Sequence, residues 1–338
     1  MTTTLFPTAL ALGAFLLFPS FAAAQDKPSD KQAVDAAVKV DADLPAYKST
    51  SGIAGSLKSV GSDTMINEMT HWAESYRKLY PGVQIEVEGK GSATAPAALI
   101  AGTAQFGPMS RTMKSQEVDD FEKAFGYKPT GVATSIDMLA VYVHKDNPLA
   151  SLSLQQVDAI FSKTRKGGGD KELLTWGDLG LTGVWADKRI SLYGRNSASG
   201  TYGYFKEHAL FKGDYKDTVK EQPGSSAVVQ AVASDKFAMG YSGIGYKTAD
   251  VRAVPLALDG KQKPIEATSD HAYDGSYPMS RFLLVYVNCK PGTQLDPLRR
   301  EFLRFVLSKE GQMDVVQEGY LPLTAKMAKK ELAKLGLE

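Results

Sequence analysis

The stretch Gly194-Arg195-Asn196-Ser197-Ala198-Ser199-Gly200-Thr201 lies between a short apolar run at 190–193 and a helix-like segment at 202–210. This order predicts a strand, a loop and a helix N-terminus. N–H groups at a helix start carry about half a positive charge, hydroxyls add donors, and Arg195 supplies a forked cation. The loop is therefore predicted to hold a tetrahedral oxyanion. An ordinary helix cap is the alternative, because Ser, Thr and Gly are preferred at helix starts.

Two earlier loops repeat this pattern. Gly61-Ser62-Asp63-Thr64 follows a strand-like stretch and opens a helical pattern at 65–79, and Lys90-Gly91-Ser92-Ala93 follows the alternating run 83–87 and opens a second helix. Open α/β sheets bind ligands where their strands end. The three loops are therefore expected to meet at one ligand site.

Composition limits the function classes. A chain of 338 residues with a net charge of +1 suggests about two domains and gives no reason to expect nucleic acid or an anionic membrane as a partner. Cys289 is the only cysteine, so the chain can form no internal disulfide. The histidines show no metal-ligand spacing, and neither a metal nor a cofactor is predicted.

The N-terminal residues are predicted to be separate from the fold. Residues 1–24 contain an apolar core at 10–18 followed by Ala22-Ala23-Ala24, which predicts a cleaved signal peptide and a periplasmic location. A membrane helix is the alternative, although the apolar run is short for one. Residues 25–56 are poor in large apolar side chains and are predicted to form a flexible extension.

The rest of the chain alternates strand-like and helix-like segments, which predicts an α/β protein. Two long apolar strands, 136–144 and 281–287, are each long enough to pass between lobes. We therefore predict lobe 1 at 57–137 plus 275–338 and lobe 2 at 138–274. The predicted hinge lies near 137–141 and 283–287.

Five segments together resemble the PstS family, the phosphate-binding subunits of phosphate ABC transporters. They are Gly61-Ser62-Asp63-Thr64, Gly91-Ser92-Ala93, the run 104–111, the run 194–201 and Ala238-Met239-Gly240-Tyr241. The resemblance implies a type II periplasmic binding protein, with two lobes, hinge strands and a ligand cleft between the lobes. It also implies a monomer that is not an enzyme, with inorganic phosphate and ABC permease membrane subunits as partners. Carried over, the phosphate-binding residues are Ser62, Asp63, Thr64, Ser92, Ser110, Arg195, Ser199, Gly200 and Thr201.

The chain departs from this family at positions that bear on selectivity. Gln105 stands where an acidic residue is common, and Ser110 and Ser197 stand where one branch has aspartates. Phosphate carries a proton near neutral pH and sulfate carries none, so a carboxylate acceptor would separate them. Our hypothesis is that Asp63 is this acceptor. The alternative is that Asp63 caps its own helix and faces away from the ligand.

Other functions remain open at this point. The site could take another oxyanion such as sulfate or molybdate, or serve a scavenger or sensor that is not coupled to transport. A phosphoester hydrolase is disfavoured because His208, the histidine nearest to Ser199 in sequence, is well over two helical turns away. Trp176 and Trp185 could form a sugar or peptide platform. Arg111 could be a second cation in the cleft or pair with Glu117 or Asp119 at the surface.

Overall fold

The computed structural model describes residues 1–2 and 38–337. The predicted signal peptide, apart from its first two residues, and residues 25–37 lie outside the described residues. Within the described ranges, every helix is too short or too polar to cross a membrane.

The elements alternate along the chain much as the sequence pattern predicts. The strands are β1 (Gly55–Val60), β2 (Val83–Glu88), β3 (Phe106–Met109), β4 (Thr130–His144), β5 (Leu152–Ser153), β6 (Ser191–Arg195), β7 (Lys220–Gln222), β8 (Ala238–Gly243), β9 (Val251–Ala253), β10 (Leu256–Ala257) and β11 (Ser280–Val287). The helices are α1 (Ile66–Leu79), α2 (Thr94–Ile100), α3 (Ser115–Phe125), α4 (Leu154–Phe161), α5 (Gly200–His208), α6 (Ser225–Ser234), α7 (Ser269–Tyr273), α8 (Pro297–Val306), α9 (Lys309–Gln317) and α10 (Ala325–Lys334). Short 3-10 helices lie at Asp63–Met65, Gly177–Leu179, Gly183–Trp185 and Ile244–Tyr246.

One curled sheet runs through both lobes in the strand order β2-β1-β3-β11-β4-β8-β6-β7, with β9 also paired to β4. β1 is parallel to β2 and β3 in the first lobe, and β6 is parallel to β8 in the second. β4 pairs with β11 as far as Met138 and with β8 from Leu139 onward, so this strand passes between the lobes. The predicted two-lobe α/β architecture is confirmed.

The returning strand differs from the expectation. β11 pairs with β4 from its first residue, Ser280, and residues 284–287 also pair with β3. Residues 283–287 therefore lie inside the first lobe, and the second crossing is at the start of β11. We propose the lobe limits given by the sequence, 57–137 plus 275–338 and 138–274, as the division of the chain.

Residues 38–56 pack on the first lobe, which differs from the predicted flexible extension. Leu44 is 3% exposed. The Tyr47 N–H donates to Glu310 Oε2 at 2.6 Å, its hydroxyl lies 2.7 Å from that of Tyr80, and its ring packs edge-on against Phe305. A few large side chains are enough to fix this segment, because Leu44 lies in the core of the lobe and Tyr47 packs against it.

The helix α1 packs through the face that its spacing predicts. Met69, Trp72 and Tyr76 are fully buried, and Trp72 Nε1 donates to the Gly311 carbonyl at 2.8 Å. Glu68 lies on the same helix and is also fully buried. Burial raises the pKa of the Glu68 carboxyl to about 8, and the charges of Glu318 and Asp137 act in the same direction.

From the raised pKa of Glu68 we predict that the folded protein becomes more stable as the pH is lowered from about 8 to about 4.5. In this range the folded protein keeps a proton that the unfolded chain, with an ordinary pKa of 4.5, has released. The free energy of unfolding should therefore fall as the pH rises, by up to about 1.4 kcal/mol per pH unit. Glu68→Gln should remove this slope and be the more stable protein at about pH 8.

Urea unfolding at about pH 5 and about pH 8 checks this result. Glu74→Gln, on the exposed side of the same helix, is the matched control and should keep the wild-type slope. An unchanged slope in Glu68→Gln would contradict the assignment.

Candidate anion-binding site

Three parallel strands of the first lobe end at the predicted site. β1 leads to Ser62, the loop after β2 contains Ser92, and β3 leads to Ser110. All three serines are buried. The Ser62 N–H donates to the Pro108 carbonyl at 2.8 Å, and the Ser110 N–H donates to Ser92 Oγ at 3.0 Å. These bonds hold the strand ends together as the loop pattern predicts.

The second lobe contributes the end of β6 and the N-terminus of α5. Arg195 is the last residue of β6, and Ser199 is the N-cap of α5, where its hydroxyl accepts the Tyr202 N–H. Gly200 and Thr201 form the first turn of the helix and are buried. The helix-cap and anion-loop interpretations of this stretch are therefore compatible, because the Ser199 cap satisfies only one of the N–H groups at the start of the helix.

The two lobes are in direct contact across the cleft. Thr201 Oγ1 lies 2.8 Å from Thr64 Oγ1 and 3.5 Å from Ser110 Oγ, and the Ala93 N–H donates to the Ala198 carbonyl at 3.1 Å. A Cβ on Gly200 would lie 2.2 Å from Ser92 Oγ. The structure thus brings all the predicted site residues together in a closed arrangement.

Arg195 is a buried cation at the contact between the two lobes. Its side chain is 2% exposed, and its Nη1 donates to Ser225 Oγ at 2.6 Å. Its Nη2 lies 3.1 Å from Asp63 Oδ2. Arg195 Nε and Ser62 Oγ are buried and make no hydrogen bond with the described residues. Buried polar groups in proteins nearly always have partners, so these two atoms mark the site as one built to receive a polar ligand.

Asp63 joins the lobes instead of capping its own helix. The short helix Asp63–Met65 starts without any side-chain cap. Asp63 Oδ2 instead accepts the Ser225 N–H at 2.8 Å, at the N-terminus of α6 in the second lobe. The alternative in which Asp63 faces away from the cleft is therefore wrong.

The positions at which the chain departs from the family pattern are Gln105, Ser110 and Ser197, and the structure shows the surroundings of each. Gln105 Oε1 accepts the Lys58 N–H at 2.8 Å, so this amide joins β1 to the start of β3. Ser197 is exposed on the loop, whereas Ser110 is buried in the site. Arg111 forms two hydrogen bonds of 2.7 Å with Glu117, which confirms the predicted ion pair, but its side chain is only 9% exposed and so does not lie at the surface. These bonds keep the pKa of the Glu117 carboxyl below its usual value although burial acts against ionisation.

Sequence reasoning missed several residues that support the site. The hydroxyls of Tyr246 and Tyr320 donate to the Thr64 carbonyl, at 3.2 and 2.8 Å, and so hold the first loop. Asp137 and Arg281 form a buried ion pair beside Thr201. The sequence contained a signal for this pair. Asp137 and Arg281 carry opposite charges, and each lies in a predicted hinge strand that is otherwise mainly apolar.

The described residues give little support to a metal site, to a serine hydrolase or to an aromatic binding platform. No group of three or more His, Cys, Asp or Glu side chains in residues 1–2 and 38–337 could hold a metal ion. His208 stacks on Tyr204, with ring centroids 4.1 Å apart, and burial lowers its pKa. Trp176 is fully buried and packs edge-on against Trp185, so the two rings belong to a lobe core and do not form an open platform.

Two α/β lobes that close on a cluster of hydroxyls, helix N-termini and two buried arginines, Arg195 and Arg281, define a solute-binding protein of the periplasmic type. The family model described as the PBP superfamily domain matches residues 46–310. The chain is 55% identical over 305 residues to the phosphate-binding protein PstS of Pseudomonas aeruginosa, which covers 90% of this chain and 94% of that protein. It is 31% identical over 287 residues to PstS of Staphylococcus haemolyticus, covering 84% and 86% of the two chains. The chain therefore belongs to the PstS family of phosphate-binding proteins.

Solved structures share the fold. A Clostridium perfringens protein solved with bound phosphate matches with a TM-score of 0.67 and 26% identity, over 80% of this chain and 100% of that chain. An ABC-type phosphate transport receptor from Vibrio cholerae matches with a TM-score of 0.61 and 23% identity, over 79% and 100%. The second likeness concerns the fold alone.

Proposed function

We propose that this protein binds inorganic phosphate between its two lobes and delivers it to an ABC permease. The observation that carries the proposal is the meeting of buried hydroxyls from both lobes, together with Arg195, which pairs with Asp63 across the cleft and whose Nε is buried without a partner among the described residues. Hydroxyls, helix N–H groups and a guanidinium are the donors that a dehydrated phosphate needs. The protein acts as a receptor and not as an enzyme.

The phosphate ligands proposed here are the residues that the sequence singles out. From the first lobe they are Ser62, Asp63, Thr64, Ser92 and Ser110, and from the second lobe Arg195, Ser199, Gly200 and Thr201. Phosphate bound to one lobe would recruit the other, and it would stabilise the closed arrangement because it contacts both. The protein would work as a monomer in the periplasm after cleavage of residues 1–24, and the permease would recognise the closed form.

Calorimetric titration of the phosphate-free protein with phosphate, sulfate and molybdate tests this proposal. We expect strong binding of phosphate and at least about 100-fold weaker binding of sulfate, since sulfate has no proton to donate to a carboxylate. Equal binding of phosphate and sulfate, or binding of sulfate alone, would show that phosphate is not the ligand that this site selects.

Asp63→Asn tests the residue proposed to select phosphate. Both described contacts of its carboxylate, with Arg195 and with the Ser225 N–H, fall on Oδ2. Oδ1 is therefore the oxygen proposed to accept the phosphate proton. The amide cannot repel sulfate as a carboxylate does, so the ratio of phosphate to sulfate affinity should fall at least about 10-fold at neutral pH.

The control for this experiment is Asp119→Asn, an exposed carboxylate on α3. It should leave the affinity ratio unchanged. If Asp63→Asn also keeps the wild-type ratio, Asp63 is not the acceptor.

A further inference from the structure

A buried arginine on the returning hinge strand contacts both lobes at the edge of the site. Arg281 Nη1 donates to the Ser110 carbonyl of the first lobe at 2.8 Å, and Nη2 donates to Thr201 Oγ1 of the second lobe at 3.0 Å. Its Nε and Nη2 donate to Asp137 Oδ2 at 2.9 and 2.7 Å. We call Arg281, Asp137, Ser110 and Thr201 the hinge junction.

The hinge junction lies where the chain crosses between the lobes. Arg281 and Asp137 face each other in the register of β11 and β4, one residue from the point where β4 leaves β11 for β8. Asp137 Oδ1 also accepts the Ile244 N–H, directly after β8 in the second lobe, at 2.9 Å. The ion pair thus ties together strand ends from both lobes, and its side chains are only 3% and 0% exposed.

The helix that closes over the ligand site rests on this arginine. Thr201 and Tyr204 are one turn apart on α5, so both lie on the same side of the helix. The Tyr204 ring lies 5.1 Å from the Arg281 guanidinium carbon, and its hydroxyl donates to the Ser280 carbonyl at 2.8 Å. α5 therefore docks on β11 through a hydrogen bond, a cation–π contact and the hydroxyl of a proposed phosphate ligand.

We propose that Arg281 is a positioning residue that couples phosphate binding to lobe closure. Its guanidinium can hold Ser110 and Thr201 at the same time only while the lobes are together, because these two residues belong to different lobes. Lysine has no planar fork and cannot serve Asp137, Ser110 and Thr201 together. Loss of this junction should therefore shorten the life of the closed, phosphate-bound state. This inference rests on the proposed phosphate function.

A neutral double variant tests the role without leaving a buried charge unpaired. In Asp137→Asn/Arg281→Gln both side chains can still hydrogen-bond, but the forked contact with Ser110 and Thr201 is lost. We expect phosphate affinity to fall about 100-fold, mainly through faster release in stopped-flow measurements, with little change in the association rate.

The matched control is Arg111→Gln/Glu117→Gln. This pair is also formed by two hydrogen bonds. All the described hydrogen bonds of Arg111 stay within the first lobe, while its Cδ faces Gly203 of α5 in the second lobe, so the control tests the loss of a buried ion pair that makes no hydrogen bond across the cleft. Its variant should bind phosphate within about threefold of wild type. Urea unfolding without phosphate, measured for both double variants, separates lost stability from lost affinity.

Several outcomes would overturn the inference. One is a hinge double variant that binds and releases phosphate as wild type does, and another is a loss of affinity that the control shows equally. Arg281→Lys keeps a charge opposite Asp137 and gives an independent test if the double variant does not fold. It should bind about 10-fold more weakly, and wild-type affinity in Arg281→Lys would refute the role. Absence of phosphate binding by the wild-type protein would instead refute the proposed function itself.

Discussion

Replacing Arg195 by alanine is expected to lower phosphate affinity about 1000-fold. The guanidinium is buried between the lobes, and its contacts with Asp63 and Ser225 hold it in place. Its removal takes away charge-assisted hydrogen bonds to the anion and leaves the Asp63 carboxylate without its cationic partner. Titration calorimetry at neutral pH measures the effect.

Two further variants separate these causes. In Asp63→Asn/Arg195→Ala no carboxylate is left without its cation, so the loss of affinity relative to Asp63→Asn alone should measure the removed contacts of Arg195. Arg195→Lys should be intermediate, since it keeps the charge and loses the fork. Binding by Arg195→Ala within about threefold of wild type would show that the anion lies elsewhere.

Gly200→Ala is expected to abolish tight binding while the fold stays intact. A methyl group on Gly200 would lie 2.2 Å from Ser92 Oγ and 2.5 Å from Ser110 Oγ, both in the opposite lobe. Such distances are far below van der Waals contact, so the lobes would have to stay apart. The loss of affinity should be at least about 100-fold, because phosphate would lose the contacts of one lobe.

A measurement of folding stability shows whether Gly200→Ala loses affinity because the lobes cannot close or because the protein unfolds. Alanine is the better helix former, so Gly200→Ala should unfold at the same or a higher urea concentration in the absence of phosphate. Gly203→Ala is the control on the same helix, where the nearest atom, Arg111 Cδ, would lie 3.2 Å from the added methyl group, compared with 2.2 Å for Ser92 Oγ at Gly200. It should bind phosphate nearly as wild type does. Wild-type affinity in Gly200→Ala would mean that phosphate binds without the closed contacts.

The ligand loops were predictable because their signal is local. A strand followed by Ser, Asp, Thr or Gly at a helix start determines a short run of backbone, and the structure places Ser62, Ser92 and Ser199 at such ends. The direction of each loop follows from the parallel strands. The partners of Asp63 could not be predicted in this way, because Ser225 lies far along the chain and reaches Asp63 only through the contact between lobes.

The sequence by itself determined the α/β alternation, the lobe-crossing strand β4 and the set of polar residues at the strand ends. These depend on periodicity and on turn chemistry, which act over a few residues. The tertiary structure alone decided which charges remote in sequence pair: Arg195 with Asp63, and Arg281 with Asp137. It also decided that residues 38–56 pack on the first lobe. Pairing and docking depend on distances between segments remote in sequence, and only the folded chain sets those distances.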